Sequence, residues 1–364
     1  MYKLKNNVMN YEWGKIGNNS IISKFISNIN ENLPYAEMWM GTHKKAMSKV
    51  LINNKYIPLN DYLGYNLSFL FKILSIRTAL SIQVHPDKET AEKLNKKYPN
   101  IYVDDNHKPE MVYPLTKFEA LCGFQSNNEI AYNLFQFKEF LEKIIDYDLL
   151  YRFLSYKKDD DMKEIFYQLM KSKNTSVISS IVKNIYKLPK LKELVLRIYK
   201  QYNMDIGILA LLFLNYVKLN IGEVMFLKAN VPHAYISGDC LEVMATSDNV
   251  IRCGLTSKLR DVELLCNILD YDYKKPNYVE KRNNIFYPDV KDFAMMVLDL
   301  NKEKHKIELN SDCHSILLVV KGELKMNGKN IKMGESYILD KKINGILESD
   351  MVSKVVICFK PTEK

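Results

Sequence analysis

The chain is predicted to be mainly β with an all-helical domain set into it. Glycine placement and the period of the apolar residues carry that prediction. After Gly123 no glycine occurs until Gly207, and Pro189 is the only proline between them. Within this interval Met162, Ile165, Phe166, Leu169 and Met170 fall on one helical face, as do Val177, Ile178, Ile181, Val182 and Ile185. Both flanks hold short runs rich in β-branched and aromatic residues, broken by turn residues.

In chain order, residues 1–125 carry runs such as Phe69 to Leu74 and Leu80 to His85. Ser126-x-x-Glu129 has the form of a capping box and opens the helical interval, taken as residues 126–220. Residues 221–265 resume the β pattern with Val224 to Leu227 and Asn249 to Arg252, so one β domain is interrupted by a helical insertion. From residue 266 to 364 the run Ser315 to Val320 and the turns at Lys321-Gly322 and Asn327-Gly328 predict a second β sandwich or barrel.

With 364 residues, 47% of them hydrophobic, the chain can bury a large core. The net charge of +9 comes almost wholly from lysine, with six arginines, and no dense basic run is present. A diffusely basic surface is therefore expected rather than nucleic-acid binding, and an anionic small substrate is compatible with the charge. The six cysteines show neither C-x-x-C spacing nor a disulfide framework. Residues 1–6 lack the apolar segment of a signal peptide, and the longest apolar run, Gly207 to Val217, is well short of the roughly 20 residues that span a bilayer. A cytoplasmic protein without membrane partners is expected.

The chemistry concentrates in a few places. In a strand through Leu80 to His85, Gln83 and His85 point the same way and present an amide and an imidazole side by side. Glu110, after Asn106-His107-Lys108-Pro109, and His233, in Asn230-Val231-Pro232-His233, add two more ligand types. This mixed nitrogen and oxygen set suits zinc, with manganese, iron or cobalt as alternatives. Taken singly, each histidine reads more often as a satisfied polar group than as a ligand; their joint appearance favours the metal. His305 and His314, without accompanying acids, are expected to be structural or exposed. Lys72 interrupts an apolar strand, so it either snorkels to the surface or meets an anion inside. Arg252 follows Asp248 by four residues, which allows an internal ion pair or an oxyanion-binding role. Glu242 is a possible acid or base, or a solvated carboxylate.

These residues sit in blocks by which the chain resembles the type I phosphomannose isomerases: YEWGKIG at Tyr11 to Gly17, PYAEMWMGTH at Pro34 to His43, FLFKILSIRTALSIQVHPDK at Phe69 to Lys88, NHKPEMVYPLTKFEALCGF at Asn106 to Phe124, and GEVMFLKANVPHAYISGDCLEVMATSDNVIRCGLTSK at Gly222 to Lys258. The resemblance implies a cupin-type (jelly-roll) catalytic barrel, an inserted helical domain, and a second cupin-like domain without metal. It implies one Zn2+ per chain, held by Gln83, His85, Glu110 and His233, and interconversion of mannose 6-phosphate and fructose 6-phosphate in a monomer that feeds mannose activation for glycoconjugates. Ser81 and Lys72 match phosphate contacts; Lys108, Tyr235, Glu242, Asp248, Arg252, Lys258, Trp13 and Glu37 match the sugar pocket. Glu12, Lys44, Lys117 and Ser257 depart from the common pattern without touching a ligand. For the proton transfer of such an isomerisation Glu242 is the leading base, with His107 or Lys108 second, and Arg252 polarises substrate oxygens. An oxygen-consuming cupin metalloenzyme and a non-catalytic sugar-binding cupin are the rival readings.

Overall fold

The computed structural model describes residues 1–272 and 275–362. The architecture is mainly β, organised around one 13-residue strand, His233–Ala245. The second half of this strand pairs antiparallel with Phe69–Ile76 on one side and Glu110–Pro114 on the other. Glu37–Met40 and Asn7–Met9 extend the sheet beyond the first neighbour, and Val224–Leu227 and Asn277–Val279 beyond the second. The first half of the strand turns away to pair with Phe118–Phe124 and, at His233, with Ile82–Val84. Gly238 stands at the bend with φ +119, and a Cβ there would lie 2.6 Å from the Lys117 carbonyl oxygen. Only glycine meets both conditions, so this residue lets one strand serve two layers.

Between the layers lies an apolar interior that includes Leu74, Ile76, Val112, Phe118, Val217 and Met225. The outer face of the larger layer packs against a nine-stranded sheet from the C-terminal part of the chain. Phe69, Phe71 and Ile73 meet Met295, Val297, Ile316 and Val356 there. Both faces of Phe69–Ile76 are thus buried, so its side chains read as a continuous apolar run broken only by Lys72 and Ser75. The nine-stranded sheet and a four-stranded one enclose a separate core of Leu298, Ile307, Leu317 and Leu347. In the four-stranded sheet the Asn327-Gly328 turn, with φ of 50 and 80, joins Glu323–Met326 to Lys329–Lys332 as expected.

Apart from Leu59–Leu63, Lys88–Lys97 and Val262–Ile268, the α-helices of the described residues run from Asn127–Phe135 to Gly207–Ala210, between two strands, Phe118–Phe124 and Leu214–Leu219, that pair with each other. The capping box at Ser126 and Glu129 forms with both of its bonds. The helical stretch expected over 126–220 is shorter than that, because Leu214–Leu219 is a strand of the smaller layer. The apolar run that spans this boundary carries no period that separates helix from strand. The expected division at residue 266 is also crossed. Asn277–Val279 joins the first unit's sheet, while Tyr2–Lys5, Lys49–Ile52 and Lys55–Pro58 join the C-terminal one. Among the described residues no helix is long and apolar enough to cross a membrane.

Candidate metal centre and cleft

Strand alternation and register assemble the site. On Phe69–Ile76 the odd-numbered apolar residues face the C-terminal sheet, so Lys72 faces the opposite way, into the space between the two layers, directly across from Glu242. His233 is the partner of Gln83, and Arg252 pairs with Gln83 from the other side. Glu110 opens the strand that borders Glu242.

Three of the four expected ligands form one buried cluster: single ligand atoms of His85, Glu110 and His233 all lie within 4.8 Å of one another. Glu110 Oε1 is 3.3 Å from His85 Nε2, and its Oε2 is 3.5 Å from His233 Nε2. Each imidazole donates its Nδ1–H to a backbone carbonyl, His85 to Asn249 at 2.7 Å and His233 to Val231 at 2.8 Å. The Nε2 lone pairs therefore face the carboxylate, and His233 Nε2 is buried without a hydrogen-bond partner. Burial, aided by the neighbouring Lys108, lowers the His85 pKa to about 4, which keeps the ring neutral. Burial alone would raise the Glu110 carboxyl, but the charge of neighbouring Lys108 outweighs it and holds it well below the usual carboxylate range. Two imidazoles and a carboxylate, with one ring nitrogen left orphaned among them, fit a divalent cation. Gln83, the fourth, brings its amide nitrogen to 3.5 Å from His85 Nε2 while its Oε1 accepts from Ser81 Oγ at 3.1 Å. A half-turn of the amide presents the oxygen to the cluster and keeps a hydrogen bond to Ser81.

Above the cluster opens a cleft of about 850 Å³. Trp13, Glu37, Lys72, Ser81, Gln83, Lys108, Asp248, Arg252 and Lys258 line it, all of them expected there. Lys72 meets its anions inside the protein: Glu242 at 3.0 Å and Glu37 at 4.0 Å, with the Trp39 ring 4.9 Å away. Burial works against its charge, yet Glu242 and Glu37 more than compensate, so its pKa is raised. Lys108 reaches Glu110 at 3.1 Å.

Several expectations change. Asp248 and Arg252 do not pair. Asp248 is held by Lys45 at 3.0 Å and His43 at 3.4 Å, and among the described residues no carboxylate pairs with Arg252. Glu242 is not on the cleft wall, because it is sealed behind its pairing with Lys72; burial raises its carboxyl pKa. Tyr235 is likewise interior and donates to Glu110 at 3.3 Å. His107 turns the opposite way from Lys108 and sits 3.0 Å from Asp292. His43 and Lys45 were missed as site residues. His43 ends the Pro34 to His43 block, and nothing in the local sequence of Lys45 signals the carboxylate about 200 residues on that it meets.

Comparison with known proteins agrees with this geometry. Residues 1–127 match the family model of the phosphomannose isomerase type I catalytic domain. Mannose-6-phosphate isomerase 1 of Arabidopsis thaliana is 35% identical, covering 92% of this chain and 88% of that protein. The Homo sapiens mannose-6-phosphate isomerase is 39% identical, covering 86% of each. Among solved structures, a variant of phosphomannose isomerase from Salmonella typhimurium superposes with a TM-score of 0.87 at 29% identity over 100% of both chains. A zinc-bound mannose 6-phosphate isomerase does so with 0.86 at 28% identity over 99% of both. The chain belongs to the type I phosphomannose isomerase family.

Proposed function

We propose that this protein is a zinc-dependent isomerase that interconverts mannose 6-phosphate and fructose 6-phosphate. The observation that carries the reading is the buried donor set of His85, Glu110 and His233, with Gln83 beside it, at the base of a cleft walled by cations. Relatives named for this activity, one of them zinc-bound, support it. The same likeness supports reading the sheets built on His233–Ala245 as a cupin-type barrel, the helices between Phe124 and Leu214 as its insertion, and the C-terminal sheets as a second, cupin-like unit. Action as a cytoplasmic monomer feeding mannose activation belongs to the same proposal.

The reaction moves a proton between C1 and C2 through a cis-enediolate, whose developing negative charge must be stabilised. Gln83, His85, Glu110 and His233 would hold the zinc ion, which would supply Lewis-acid polarisation of the substrate oxygens. Arg252, free of any carboxylate among the described residues, offers its guanidinium to the same charge. Ser81 and Lys72 seat the phosphate, Lys72 with a charge already shared by Glu242 and Glu37, and Lys258 adds a cation at the rim. Asp248, braced by Lys45, presents a carboxylate to sugar hydroxyls. Of the three residues considered as base, Lys108 alone stands on the cleft wall; we assign it the proton transfer, in which its ammonium first gives a proton to a substrate oxygen and the resulting amine takes the carbon-bound one.

A coupled assay of fructose 6-phosphate formation from mannose 6-phosphate tests the proposal. Turnover should vanish on chelation and return with Zn2+. Zinc-loaded protein that forms no fructose 6-phosphate, or that consumes oxygen with a cupin-type substrate, would overturn it.

A further inference from the structure

Asp104 lies outside every site residue considered so far, yet the Thr246–Asn249 turn is wrapped around it. Its Oδ1 accepts from Ser247 Oγ at 2.7 Å and from Asn249 Nδ2 at 3.1 Å, and its Oδ2 accepts from the Asp248 backbone N–H at 2.7 Å. Its own carbonyl accepts from Asn249 Nδ2 at 2.8 Å, and the Asn106 carbonyl accepts from the same amide at 3.0 Å. Asn249 N–H in turn reaches Ser247 Oγ at 3.1 Å. Asn249 is buried, and its carbonyl is the acceptor for His85 Nδ1–H. The next residue back, Asp248, is the carboxylate on the cleft wall.

We infer that Asp104 is a positioning residue, clamping the 246–249 turn so that the Asn249 carbonyl fixes the tautomer and orientation of His85 and the Asp248 side chain keeps its place in the cleft. The inference rests on the metal site proposed above. The carbonyl that orients a ligating imidazole works only if it does not move, and here the turn that carries it forms no strand pairing of its own between Ala245 and Ile251. Asp104 supplies that restraint from a loop 19 residues away in sequence from His85, just ahead of Lys108 and Glu110. One carboxylate therefore holds together the loop leading to Glu110 and the turn supporting His85.

All four groups that meet the Asp104 carboxylate are donors: Ser247 Oγ, Asn249 Nδ2 and the backbone N–H groups of Asp248 and Asn106. Asp104→Asn keeps the size but puts an amide N–H against one of them. In the zinc-depleted, folded protein, Zn2+ affinity measured by competition with a chromophoric chelator should weaken about 10-fold in Asp104→Asn, the lower end of what partners behind metal ligands usually cost. The absorption bands of the Co2+-loaded variant should change with the altered ligand geometry. Asn249→Ala removes the clamp's middle link without touching Asp104, and should weaken Zn2+ in the same direction; it decides the matter if Asp104→Asn does not fold. Variants that bind Zn2+ as tightly as the parent, with an unchanged Co2+ spectrum, would overturn the inference even if their melting temperatures fall. Failure of the parent protein itself to bind Zn2+ would instead overturn the metal site.

Discussion

Lys72 and Glu242 show how one pair of residues bears on both stability and chemistry. They stand directly opposite on neighbouring strands, both buried, 3.0 Å apart. Breaking a buried pair by removing one partner leaves an uncompensated charge and typically costs about 3–5 kcal/mol. Glu242→Leu, which leaves Lys72 only the more distant Glu37, should therefore lower stability by up to about that amount, while Glu242→Leu combined with Lys72→Met should recover most of it; urea denaturation of the parent, both single variants and the double variant completes the cycle. The milder Glu242→Gln separates structure from catalysis. If Glu242 only neutralises Lys72, the folded, zinc-loaded variant should keep kcat within about tenfold of the parent. A loss of roughly 10²–10⁴-fold, the usual contribution of a general base, would return Glu242 to that role and displace Lys108.

At the scale of elements, the helix Pro189–Tyr202 is tied to the smaller sheet through Glu119. This carboxylate accepts from Arg197 Nη1 at 2.7 Å and from the hydroxyls of Ser237 and Tyr216. Partial burial pushes its pKa up, but those three partners outweigh it and hold it at about 2, against an ordinary 4.5. A depressed carboxyl stabilises the fold fully above the ordinary value, and that contribution is lost as pH falls from about 4.5 towards about 2. Glu119→Gln should therefore show a shallower fall in melting temperature than the parent across that window, and equal slopes would contradict the tie. What the sequence disclosed of these elements was local. Gln83 and His85 share a face because strand side chains alternate, the turn at Gly328 follows from its residue types, and the Ser126 cap from its spacing. What it concealed was set by distant partners. His107 and Lys108 are adjacent, and the outward turn of His107 is decided by Asp292, 185 residues on. Asp248 and Arg252 invited pairing by a four-residue spacing that brings side chains together on a helix. Here it spans a loop and a strand start, and the distant Lys45 takes the carboxylate instead.

For the molecule as a whole, the strand pairings leave no clean seam. Tyr2–Lys5 pairs with Ser336–Leu339 of the C-terminal sheet and with Lys49–Ile52, and Asn277–Val279 crosses the other way. The inserted helices share one core with Ile82, Val84, Leu121, Phe124 and Ala234 of the site-bearing sheets. Such exchanges predict that both β units and the helices unfold together. The two tryptophans, Trp13 and Trp39, both lie in the first unit, so fluorescence reports that unit alone while far-UV circular dichroism reports the entire chain. In urea the two probes should trace one coincident transition. Because Zn2+ binds only the folded chain, zinc at 100 times its dissociation constant should stabilise both signals equally, by about 2.7 kcal/mol. A circular dichroism transition that splits, with one phase indifferent to zinc, would show that the C-terminal unit or the helices fold apart from the metal centre, despite the strands they exchange.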